Sequence, residues 1–158
     1  MDRTAFGGLE QSAWSYVNAA RPAQALISET LTQVSGFALL AMTSSRPPTL
    51  AEAALIGAQK ASAHAIEEVR ALNAPERARH HLHHLRKAAT ALAEACAQAR
   101  LCLKPGASHG ERDALLDALR ATSDHLRSTA KLIPGFEIVE LGQACCAVHA
   151  PQRRLCEA

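Results

Sequence analysis

Aromatic side chains are nearly absent from this chain: three Phe, one Trp and one Tyr stand among 158 residues. That removes the stacking platforms on which nucleic-acid bases lie and leaves little to wall a large planar cofactor. Long apolar runs are also missing. The longest, Phe37 to Met42, is far too short to cross a bilayer. Met1 to Glu10 has two glycines and two acids where a secretory leader would have a basic start and an apolar run, so no leader is expected. No serine sits in a nucleophile elbow, no glycine-rich loop opens a helix for phosphate, and the carboxylates are scattered. The expectation is a protein that is not an enzyme. The five cysteines are an odd number without framework spacing, which reads as reduced thiols in a cytoplasm.

Charge of one sign is lacking too. The formal net charge is +2, too small to point to a strongly charged partner. Its distribution is uneven: residues 76–104 carry six Lys/Arg, two acids and four of the eight His. This basic stretch has no aromatics beside it, which argues against nucleic acid and for a solvated face.

What the chain does have is alanine, about a fifth of all residues, and helical periodicity. From Glu76 to about Lys104 the apolar positions are Ala78, Leu82, Leu85, Ala89, Leu92, Cys96, Ala99 and Leu103. Gaps alternating between four and three keep them on one stripe of a helix, and such a stripe must be buried. A further helix carries Leu115, Leu119, Thr122, Leu126, Thr129 and Ile133, with Ser108 and Glu111 at capping-box spacing before it. Thr49 and Glu52 repeat that spacing ahead of a helix over 50–73. There Ala53, Gly57, Ala61 and Ala65 form a ridge of small side chains expected to admit a close neighbour, with Leu55, Ile66, Val69 and Leu72 beside it.

Near the N-terminus, Leu9 to Ala20 predicts a short helix that Arg21-Pro22 breaks or kinks. A second helix then runs from Ala23 to about Thr43, with Leu26, Ile27, Thr30, Val34, Phe37, Ala38 and Ala41 on its apolar face. Leu39, Leu40 and Met42 make its end apolar almost all round, so that end is either central in the bundle or a contact between chains. Ser44 to Pro48, Asn73-Ala74-Pro75 and Pro105-Gly106-Ala107 read as connections, and Pro134-Gly135 as a stop. The expected fold is all-α: an up-and-down four-helix bundle in one domain over 1–158, with a short N-terminal helix (segment 1–22) and a C-terminal segment (134–158) packed across it. A short helix near Gln143–His149 is expected in that tail.

The cluster His80-His81-Leu82-His83-His84 is the oddest local feature. With Leu82 and Leu85 on the buried stripe, His80, His83 and His84 point away from the core and His81 flanks it. His80 and His84 lie one turn apart, a spacing at which two imidazoles chelate one Zn²⁺, Ni²⁺ or Cu²⁺ ion. Cys145-Cys146-x-x-His149, with Cys156 beyond, matches no strong zinc pattern. His64, His109 and His125 each stand alone in sequence.

The stretch His84-Leu85-Arg86-Lys87-Ala88-Ala89 resembles the histidine phosphotransfer domains of bacterial signalling, which are helical bundles with one exposed phosphate-accepting histidine. The resemblance implies His84 as acceptor, Lys87 as its basic partner and Ala88 as the small residue that lets a regulator dock. Three functional expectations follow. The first is a non-enzymatic interaction or regulatory module, binding itself as a homo-oligomer or another protein. The second is phosphotransfer through His84. The third is a metal-binding bundle using His80 and His84.

Overall fold

The computed structural model describes residues 3–43, 50–104, 106–133 and 136. Four α-helices follow one another: α1 (Arg3–Thr43), α2 (Leu50–Ala71), α3 (Arg79–Cys102) and α4 (His109–Leu132). A single 3-10 turn, Glu76–Ala78, precedes α3. No strand occurs among the described residues, and the helices pack on one another as an all-α bundle.

The short N-terminal helix is not separate. α1 runs unbroken for 41 residues with Pro22 inside it, which corrects the break expected at Arg21-Pro22. The reason lies in the burial pattern. Tyr16, Ala20, Ala23, Ile27, Thr30, Val34 and Phe37 are all buried, alternating in steps of four and three straight through the proline. Pro22 itself faces solvent. A continuous buried stripe outweighs the roughly 3 kcal/mol a proline costs inside a helix. At 1.5 Å per residue α1 is about 60 Å long, against about 35 Å for the others.

α1 and α3 each touch all three other helices, while α2 and α4 lie on opposite sides of that pair. α3 can sit centrally because it is buried on more than one row. Leu82, Leu85, Ala89, Leu92, Cys96 and Ala99 make the expected stripe, and His81, Ala88 and Ala95 make a second row at heptad spacing. Much of this surface is alanine, which lets α4 lie close, and α3–α4 is the most extensive contact in the bundle. α4 buries Leu115, Ala118, Leu119, Thr122, Leu126 and Thr129. Its buried threonines are satisfied within the helix: Thr122 Oγ1 donates to the Ala118 carbonyl at 2.9 Å and Thr129 Oγ1 to Leu126 at 2.6 Å.

The capping box forms as its spacing required. The Glu111 N–H donates to Ser108 Oγ at 3.2 Å, and the Ser108 N–H donates to the Glu111 carboxylate at 2.7 Å. The Ser108 N–H, joined by the Ser108 hydroxyl donating to the same carboxylate at 2.9 Å, holds the Glu111 carboxyl below its ordinary pKa. Between α3 and α4, Gly106 takes φ of 82°. A side chain would be strained there, so the glycine is what permits this turn.

The small-residue ridge of α2 does not serve as expected. The buried row is Leu55, Ala58, Ser62, Ala65 and Val69; Ala53 and Gly57 are exposed and Ala61 is half-buried. A Cβ placed on Gly57 would meet nothing within 4 Å. Burying Leu55 and Val69 gains far more apolar area than burying alanines, and that sets the rotation of the helix. Thr49, on which the expected box with Glu52 depends, the 44–48 loop, Pro105, the Pro134-Gly135 stop and the tail beyond Phe136, with the helix expected near Gln143–His149, lie outside the described residues. Among the described residues no helix is long and apolar enough to cross a membrane.

Candidate functional site

The histidine cluster begins from the register of α3. Leu82 and Leu85 are buried, so His80 and His83 are exposed and His84 is half-buried at the seam with α4. Antiparallel packing of α3 and α4 about the turn at Gly106 then sets His125 against His84. Both are nearly equidistant in sequence from Pro105. His84 Nδ1 lies 3.0 Å from His125 Nδ1, and His84 Nε2 lies 3.3 Å from His80 Nε2. The His80 and His84 rings meet edge-on with centroids 4.7 Å apart, and those of His84 and His125 are 5.2 Å apart. His83 completes the group, its ring centroid 5.6 Å from that of His84.

Burial lowers the pKa of His84, and His80, His125 and His83 lower it further by like-charge repulsion. The charge crowding at His84 thus comes from neighbouring imidazoles and not from Arg79, Arg86 or Lys87. Arg79 is occupied by Glu76 at 2.8 Å. Lys87 is exposed, whereas Ala88 is fully buried and offers nothing for a regulator to dock on. Among the described residues no group of three or more His, Cys, Asp or Glu is arranged to hold one metal ion. The geometry shows why: His84 turns one nitrogen to His80 and the other to His125, so the three rings do not converge on a point.

His81 does more than flank the core. It is only 1% exposed. Its Nδ1 lies 2.7 Å from the Tyr16 hydroxyl of α1, and its ring meets Phe136 at 4.5 Å between centroids. Phe136 is in turn held by Gln24, whose Nε2 donates to its carbonyl at 2.9 Å. His81 Nε2 and Gln24 Oε1 are buried with no hydrogen-bond partner in the protein. Burial drives the His81 pKa down to about 4, with His84 adding to the effect. It drives Tyr16 up to about 12, partly offset by Arg86.

The remaining candidates are ordinary. Cys96 is buried and Cys102 half-buried, both as free thiols. His64 is exposed, 3.9 Å from Glu68, and His109 is exposed at the start of α4. Cys145, Cys146, His149 and Cys156 lie outside the described residues. His125 is the residue that reading along the sequence missed. Its one signal is its mirror position to His84 across the hairpin.

The chain matches no protein-family model, no curated protein and no solved structure.

Proposed function

We propose that this protein is a non-enzymatic helical-bundle interaction module that pairs with a second copy of itself through the C-terminal end of α1. The observation that carries this reading is the exposure of the apolar end of that helix: Leu39 is 64% exposed and Leu40 49%, with Met42 beside them. Apolar side chains left exposed together at a helix end supply a surface suited to contact between chains. Ala38, Leu39 and Met42 line an apolar cleft whose other wall is Leu116 and Leu119 of α4. A two-fold arrangement lets the same patch serve both copies. The small net charge supports self-pairing, because two copies repel one another only weakly. The free thiols of Cys96 and Cys102 support a reducing, cytoplasmic setting.

Sedimentation of the full chain at micromolar concentration tests the reading. A dimer is expected, and Leu39→Lys with Leu40→Lys should convert it to monomer without loss of helical circular dichroism. A wild type that stays at 16.8 kDa over the whole concentration range defeats the proposal.

A further inference from the structure

We propose that Nε2 of His80 and Nε2 of His84 form a binding site for a late first-row divalent transition metal, with His125 as the residue that orients His84. The site sits toward the start of α3, shares no residue with the apolar cleft, and does not depend on self-association.

Two distances separate the roles of the three rings. The His84–His125 contact, Nδ1 to Nδ1 at 3.0 Å, is an ordinary N–H···N hydrogen bond. The His80–His84 contact, Nε2 to Nε2 at 3.3 Å, is long for such a bond. It is instead the separation of two ligands on a tetrahedral ion: bonds of roughly 2.0–2.1 Å at the tetrahedral angle put two nitrogens about 3.3 Å apart. The pair therefore holds the required bite before any ion arrives, and the i, i+4 spacing on α3 keeps it there.

His125 supplies what a bare helical pair lacks. When His84 donates its Nδ1 proton to His125 Nδ1, its Nε2 carries a lone pair and faces His80. Metal-ligating imidazoles characteristically give their other N–H to such an acceptor, which sets both tautomer and ring angle. His125 is itself fixed, because its neighbours Thr122, Leu126 and Thr129 are buried core positions. Arg79, the nearest cation in sequence, is paired to Glu76. Two imidazoles and no third protein ligand agree with the lack of any larger ligand group among the described residues. Solvent completes the coordination, and the tetrahedral bite suits Zn²⁺, whereas Cu²⁺ and Ni²⁺, which prefer ligands at right angles, would have to draw the two rings closer together.

The test uses untagged full-length protein with Cys145, Cys146 and Cys156 replaced by Ser, titrated with Zn²⁺ and, as a spectroscopic probe, with Cu²⁺ in a non-chelating buffer. One ion per chain is expected. His80→Ala and His84→Ala should each abolish binding, and His83→Ala should leave it unchanged. His125→Ala should weaken it about 10–100-fold. His125→Asn, which places an amide oxygen where Nδ1 stands, should restore most of that loss; a merely structural role for His125 would show no such rescue. The proposal is overturned if the parent protein binds neither ion, if His80→Ala binds as the parent does, or if His125→Ala has no effect. Copper spectra showing a third imidazole that His125→Ala removes would overturn its role as an orienting residue.

Discussion

The Tyr16 hydroxyl lies 2.7 Å from His81 Nδ1 and ties α1 to α3 inside the core. Both groups are almost without solvent contact. Their bond gives each buried polar atom a partner that water would otherwise provide.

This pair makes stability depend on pH. His81 has a folded pKa of about 4, below its unfolded value near 6.5. The unfolded chain therefore binds a proton more readily. The contribution of neutral His81 is complete above pH 6.5 and is lost as the pH falls toward 4. The full effect is about 3 kcal/mol. Urea midpoints measured from pH 7 to 4 should fall across that window, and His81→Phe should flatten the slope. An equal slope in that variant would place the titrating group elsewhere.

Removing only the hydroxyl isolates the bond. Tyr16→Phe leaves His81 with neither ring nitrogen partnered by the protein, and should cost about 1–3 kcal/mol. A change within a few tenths of a kcal/mol, read by denaturant unfolding, would mean the bond contributes little net stability.

The core stripe of α3 should be much more sensitive than its solvent face. Leu85 and Leu92 are fully buried, and each Leu→Ala change should cost roughly 2–5 kcal/mol. His83 is exposed, so His83→Ala should cost far less. Thermal melts of the three variants compare them directly, and a His83→Ala loss matching Leu85→Ala would contradict the register of this helix.

Gly57 points the other way. It is mid-helix, exposed and open around its missing Cβ. Gly57→Ala should therefore stabilise the protein by roughly 0.5–1 kcal/mol, since alanine loses less backbone entropy and fits without contact. A lower melting temperature for the variant would show that the position serves a contact made by another molecule.

Pro22 offers a similar test in α1. It faces solvent and leaves the helix one donor short. Pro22→Ala should raise stability by about 1–3 kcal/mol, less than the full cost of an interior proline because alanine also frees the unfolded chain. Destabilisation instead would mean that the proline shapes α1 to fit its neighbours.

The stripes of α3 and α4, the Ser108–Glu111 cap and the Gly106 turn were legible along the chain. Each depends on residues within a few positions of one another, and helix geometry alone relates them. The breaks in that reading came where a local preference met a stronger tertiary one. Pro22 favours an end to the helix, yet Ala20 and Ala23 on either side of it are both buried in one core. The alanine–glycine row of α2 looked like a contact face, but Leu55 and Val69 decided which side turned inward.

The site divides along the same line. Sequence by itself determined that His80 and His84 share a helix face, because a separation of four residues is one turn. Only tertiary structure decided that His125 meets His84 and that Tyr16 meets His81. Those partners lie on other helices, tens of residues away, and no periodicity within one segment encodes the rotation of one helix against another. That rotation is set by how the buried side chains of α1, α3 and α4 fill their shared interior, a many-body packing outcome.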